Sequence, residues 1–243
     1  MVIGREEYKL RKDRILGITV KEYVRSVTPV SSKLISMEYP LDLSSATIRN
    51  ILAELEQEGL LCHPHTSAGR IPTELGYRYY VDNLMHEIQL LEEEKNQIQT
   101  EYRRAHLELE SLLERTSRLI SETTQYTGII SVDGERKIIC TGTNYVVQYP
   151  DQADLQKIHD ILAALEEKER LYEFLSQELE KKVNVYIGHE IALAEMDSCS
   201  LVVSPYRTKR GATGRLAVLG PTRMNYEKVV SSLEYLSQLM EEF

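Results

Sequence analysis

From Thr28 to Thr73 the chain is cut into pieces too short for anything but a small, tightly connected set of elements. TPVSSKLISMEY predicts a short helix beginning near Val30, with Ser31 or Ser32 in its first turn. It ends before Pro40, because a proline ring drives the residue preceding it out of the α region. Leu41, Asp42 and Leu43 then form a tight connector. Ser44 or Ser45 caps a third helix that runs through Glu58, and Gly59 stands where a helix stop belongs. Upstream, apolar residues at helical spacing (Tyr8, Leu10, Ile15, Ile18, Val20, Tyr23, Val24) predict a first helix over 6–26. Downstream, LLCHPHTSAGRIPT is rich in turn residues and edged by Leu60, Leu61 and Ile71, so it predicts a two-stranded hairpin with an exposed tip at 66–69.

Three helices and a basic-tipped hairpin within about 75 residues is the arrangement of a winged helix-turn-helix. In such a module the third helix enters the major groove of duplex DNA with its N-terminal residues at base edges. Ile48, Leu52 and Leu55 share one face of that helix, which leaves Ser44, Ser45, Thr47, Arg49 and Asn50 for the groove. Arginine donates bidentately to guanine and asparagine pairs with adenine. The hairpin's His65, Thr66, Ser67 and Arg70 are expected on the backbone or in the adjacent minor groove. Ser31, Ser32 and Lys33 open the second helix, where amide groups and the dipole favour a phosphate. Each residue also has a plain structural use: the serines as caps, Arg49 as a partner for a neighbouring glutamate, Asn50 as a solvated surface group. The ordered combination is what points to DNA.

Charge permits that reading. The chain carries −9 overall, but residues 1–80 carry +1 and residues 81–243 carry −10, so the acidity belongs to the C-terminal two-thirds. DNA affinity requires cations at phosphates, and only the first part can offer a basic face.

LDLSSATIRNILAELEQEGLLCHPHTSAGRIPTELGYRYYVDNLM resembles the HrcA family of heat-inducible transcription repressors, and so does MDSCSLVVSPYRTKRGATGRLAVLGPTRMNYEKVVSSLEYL with its GRLAVLGPTRMNY run. The resemblance implies a homodimeric bacterial repressor that binds an inverted-repeat operator upstream of chaperone genes. It also implies a GAF-like C-terminal domain and activity supported by a GroE-type chaperonin. Members of the family are usually longer between the two blocks, in a stretch that includes a segment used for dimerisation. Here that stretch passes quickly from helix to a few strands, so the resemblance implies a shortened dimerisation insert.

A substitute lies nearby. From Leu84 onward the positions Ile88, Leu91, Lys95, Ile98, Tyr102, Ala105, Leu109, Leu112, Thr116 and Leu119 alternate by four and three, and nine of the eleven are apolar. A seam of this kind predicts a helix of about 38 residues, ~57 Å long at the helical rise, that needs a partner surface. Two uses are open: a dimer contact through Ile88, Leu91, Ile98, Tyr102, Leu109 and Leu112, or a linker helix folded back on its own C-terminal domain.

The expected fold class is therefore α+β. It comprises a winged helix-turn-helix over 1–80, a long helical connector over 81–125 and a GAF-like regulatory or dimerisation domain over 126–243. In the last part, strands are expected at 127–132, 137–140, 145–149, 183–187, 201–206 and 215–219. One amphipathic helix runs from Leu155 to Leu179 and another closes the chain, with helices packed to one side of the sheet. No cluster of polar or charged residues in this part defines a ligand pocket.

Enzymatic readings find no support. The nucleophile elbow GxSxG, the phosphate loop GxxxxGK[ST], GxGxxG and HExxH are all absent from the sequence. Cys62, His63 and His65 make half a metal site without an evident fourth ligand, so no metal and no cofactor is expected. Three cysteines, odd in number and far apart, fit free thiols in a reducing cytoplasm. No run of about 18 apolar residues exists, so no membrane partner is expected, and the charged N-terminus lacks the apolar core of a secretion signal. The alternative function class is an interaction or adaptor protein that uses a winged helix for protein contacts.

Overall fold

A computed structural model describes residues 5–64, 69–85, 94–96, 98, 109–148, 155–177, 179 and 181–242. The chain divides into two compact units, Met1–His86 and Glu87–Phe243.

In the first unit, α1 (Arg5–Ser26) buries Ile15, Leu16, Thr19 and Val20. Thr19, a mediocre helix former, returns its hydroxyl to the Ile15 carbonyl at 2.8 Å and so costs no unsatisfied group. The helix ends at Val27, whose φ of 54° is left-handed. α2 (Ser32–Glu38) starts under Ser31, whose Oγ accepts from the Leu34 amide, and stops at Tyr39, which Pro40 holds extended. α3 (Ser45–Gln57) starts under Ser44, whose Oγ accepts from the Thr47 amide at 3.1 Å. It buries Ile48, Ile51, Leu52 and Leu55 at helical spacing, each side chain contributing ~1.5–3 kcal/mol by leaving water. Gly59, with φ 75°, ends it in a conformation that costs glycine little.

β1 (Leu61–Cys62) and β2 (Ile71–Pro72) pair antiparallel, Leu61 opposite Pro72. β2 is anchored one residue earlier by a two-way backbone bridge between Val30 and Arg70, both bonds 2.9 Å. α4 (Glu74–Tyr79), capped by Thr73, runs into a π-helical turn at Tyr80–Leu84, and Met85 is extended.

The second unit is built on a five-stranded, wholly antiparallel sheet in the order β4-β3-β7-β6-β5. The strands are β3 (Thr127–Val132), β4 (Lys137–Thr141), β5 (Asn184–Ile187), β6 (Cys199–Arg207) and β7 (Thr213–Pro221). β3 is buried at every position, and β6 and β7 nearly so, which means both faces of the sheet need a cover.

One face, holding Ile129, Leu201, Val203, Ala217 and Leu219, packs on α6 (Leu155–Glu166) and α7 (Lys168–Leu175). The other holds Gly128, Val202 and Val218 in register and packs on α5 (Leu109–Thr124) and α8 (Tyr226–Met240). Helices thus cover both sides, where the sequence pattern points to one.

Two further expectations are corrected here. The strand expected at 145–149 is instead a 3-10 helix, Thr143–Gln148. Gly142, at φ 72°, reverses the chain directly after β4, and Val146 turns into the core while Val147 stays 59% exposed. The single helix expected from Leu155 to Leu179 breaks at Glu167 (ψ 63°), so that Ile161 and Leu165 on one piece and Leu171 and Leu175 on the other reach the same cluster.

Candidate nucleic-acid interface

The leading turn of α3 is held in place from three sides. Ser44 caps it, and the Thr47 hydroxyl lies 2.9 Å from the Ser44 Oγ. Ser45 donates to Ser32 at 3.2 Å, which ties the start of α3 to the start of α2. Ile48 anchors the inner face at 0% exposure. What remains outward is Arg49 and Asn50, both exposed, and among the described residues neither has a hydrogen-bond or ion-pair partner. Ser44 is exposed as well, while Ser45 and Thr47 are half-buried.

The second helix divides its three candidates. Lys33 is exposed and carries no partner among the described residues. Ser31 is half-buried and occupied by its cap, and Ser32 is buried at 8% exposure under Ser45. The expectation that Ser32 meets a phosphate is corrected: its hydroxyl is part of the joint between helices. Ser45 likewise spends its proton inside the protein rather than on a base edge.

Arg70 sits at the root of the hairpin, not at its tip. Its guanidinium bonds Glu56 on α3 at 2.8 Å, and the side chain is 18% exposed. Beside it Gly69 lies so close to the α1–α2 linker that a Cβ there would stand 2.5 Å from the Pro29 carbonyl carbon. Arg70 therefore braces the hairpin against α3. His65, Thr66 and Ser67 lie outside the described residues.

Sequence reasoning missed the frame beneath this surface. Glu22, on α1, is 4% exposed and accepts from the Tyr39 hydroxyl and from Arg25. Arg25 reaches on to Glu38 at 3.5 Å. Burial, and then the bond to Glu22, push the Tyr39 phenol up to about 12. Tyr8 is pushed up to about 12 as well, chiefly by its bond to Glu54. Together these bonds fix α2 and α3 on α1. The i,i+3 spacing of Glu22 and Arg25 was visible in the sequence, but the partner 17 residues away was not.

Burial raises the Cys62 thiol, with Glu56 adding to it, which disfavours the thiolate that a metal would need. Among the described residues no group of three or more His, Cys, Asp or Glu side chains could hold a metal ion. None of the described helices is long and apolar enough to cross a membrane.

Among the described residues, part of the seam expected for dimerisation is buried. The π-turn and the extended Met85 detach Leu84 from any following helix. Leu112 is 6% exposed and Thr116 fully buried in the interior of their own unit, where α5 packs on β3, β4 and α8. Ile98 is buried at 2%. Leu112 and Ile98 are thereby removed as free contact residues, and Leu109 is half-buried. Ile88, Leu91 and Tyr102 lie outside the described residues.

A family model described as the HrcA protein C-terminal domain matches residues 130–230. The heat-inducible transcription repressor HrcA of Carboxydothermus hydrogenoformans is 30% identical over 331 aligned positions, covering 96% of this chain and 97% of its own length. That of Symbiobacterium thermophilum is 29% identical, with the same coverage of both chains. The aligned span exceeds this chain's 243 residues, so the relatives carry interior stretches without a counterpart here. A crystal structure described as a hypothetical protein at 2.2 Å resolution has the same fold, with a TM-score of 0.73, 17% identity and coverage of 95% and 97%.

Proposed function

The chain belongs to the HrcA family of heat-inducible transcription repressors and represses heat-shock genes, and we propose that it does so by reading an inverted-repeat operator as a cytoplasmic homodimer. In this reading residues 1–80 are a winged helix-turn-helix, with α3 as the recognition helix and β1–β2 as the wing. Residues 126–243 are a GAF-like regulatory domain, joined through 81–125. A GroE-type chaperonin supports its activity. A chaperone that binds non-native chains ties the repressor's folded population to chaperone supply by mass action.

One observation carries the proposal. Arg49 and Asn50 stand exposed on the leading turns of a capped helix whose opposite face is buried, and they have no partner among the described residues. An arginine fork and an asparagine amide are the groups that read guanine and adenine in the major groove. Lys33 adds a cation at the start of α2, suited to a phosphate.

The test is fluorescence anisotropy of the purified chain with duplexes from chaperone-gene promoters, against scrambled duplexes at equal salt. The intact inverted repeat is expected to bind ~10³-fold or more tighter than the scrambled duplex. Arg49→Ala should lose ~1–3 kcal/mol on the operator and almost nothing on the scrambled duplex. Equal binding of both duplexes by the unmodified protein would sink the reading.

A further inference from the structure

The sequence shows no cluster of charged residues that would define a pocket in the second unit, but the fold assembles one. Four segments come together at one end of the sheet: the close of β3, the approach to β5, the close of β6 and the opening of β7. The register brings them there, since the Asp133 amide donates to the Thr213 carbonyl at 2.8 Å and Arg207 pairs with Thr213. With the last turn of α8 they line a pocket of about 400 Å³. Its charged groups are Asp133, Lys182, Arg207, Arg215 and Glu241, and Ser237 adds a hydroxyl.

Three features mark this pocket as built for an anion. First, Arg215 is only 19% exposed and poorly satisfied. Its Nη1 lies 3.8 Å from Asp133 and donates to the Gly214 carbonyl at 3.2 Å, while its buried Nε has no partner among the described residues. A buried arginine donor left unmade is costly. Second, Lys182 and Arg207 are exposed and have no hydrogen-bond or ion-pair partner among the described residues. Third, among the described residues the pocket holds three cations against two carboxylates, although residues 81–243 as a whole carry −10.

The pocket is rigid where it matters. Tyr206 is 3% exposed and donates to the Ser131 carbonyl at 3.0 Å, and Ser237 donates to the Pro205 carbonyl at 2.7 Å, so α8 is fastened to β6 at the rim. The volume lies within the range of small-molecule sites, far more than a bare ion needs.

We infer that this pocket binds a small phosphate-bearing metabolite, its phosphate held by Arg215, Arg207 and Lys182 and its remainder lying toward Ser237 and Glu241. Arginine forks match phosphate oxygens bidentately, and the lysine adds a point charge.

The test is titration calorimetry of the full chain with pyrophosphate and with glycerol phosphate, at ionic strength held constant with sodium chloride. Citrate serves as the carboxylate comparison. One saturable site per chain is expected for the two phosphate compounds. Arg207→Gln and Lys182→Gln should each weaken it about tenfold, one charge-assisted bond apiece, while Lys157→Gln on the exposed face of α6 leaves it unchanged. Both pocket variants alter exposed side chains, and circular dichroism checks that they fold. Absence of saturable binding, equal binding of citrate, or an equal loss in Lys157→Gln would each overturn the inference. So would a duplex DNA that loses as much affinity from Arg207→Gln as pyrophosphate does, since the patch would then belong to nucleic acid.

Discussion

Ser32 and Ser45 are single hydroxyls whose chemistry suits a phosphate or a base edge, and in the fold they serve each other. Their types and positions on helix starts were legible in the sequence. Their mutual contact was not, because it depends on how α2 crosses α3. The same holds for Arg70, which meets Glu56 on a neighbouring element. Arg49 and Asn50 stand exposed, since the buried stripe of α3 turns them outward.

Residue chemistry also sets a pH limit. The phenols of Tyr8 and Tyr39 are both raised to about 12 from an ordinary 10. An acid whose folded value is raised favours the fold in its protonated form. The contribution is thus complete below pH 10 and is lost as pH rises toward 12. Urea denaturation at pH 9 and pH 11 should show the unmodified protein losing more stability over that interval than a Tyr8→Phe, Tyr39→Phe double variant. Parallel losses would show that neither phenol contributes.

At the scale of elements, α5 shows how a heptad pattern is read two ways. Leu112, Thr116 and Leu119 satisfy a coiled-coil seam by spacing alone. In the fold they are buried within the second unit, on a helix whose small residues set it on the sheet. Ser117 donates to the Gly128 carbonyl at 3.1 Å, and a Cβ on Gly128 would stand 2.5 Å from the Ser117 carbonyl oxygen. The helix backbone therefore lies almost directly on β3. Gly128→Ala is expected to destabilise the protein by ~1–3 kcal/mol, because neither backbone can give way. A thermal melt that leaves the midpoint unchanged would show that α5 can lift off the strand. Spacing told that this stretch is an amphipathic helix; only packing told which partner it meets.

Across the whole molecule, charge is divided as +1 and −10 between residues 1–80 and 81–243, and this shapes how DNA is approached. Affinity must come from a few local cations working against a net charge of −9. Binding to the inverted repeat should therefore fall linearly in log[salt], with a slope near −0.9 for each phosphate contact. An anisotropy series over salt concentration measures it, and replacing Lys33 by Ala should reduce the slope by about one phosphate contact. A slope that does not change would remove Lys33 from the interface.

The amino-acid sequence by itself determined where elements begin and end in the first unit, because caps, Pro40 and Gly59 act within a few residues of themselves. It determined most of the strands of the second unit for the same reason: β-branched runs bounded by turns need no distant information. Tertiary structure decided the rest. Glu22 beneath Tyr39, Arg70 on Glu56, helices on both faces of the sheet, and the cations gathered at one end of it all join residues far apart in the chain. Such contacts follow from the crossing of packed elements and the register of strands, and neither is written in any local spacing.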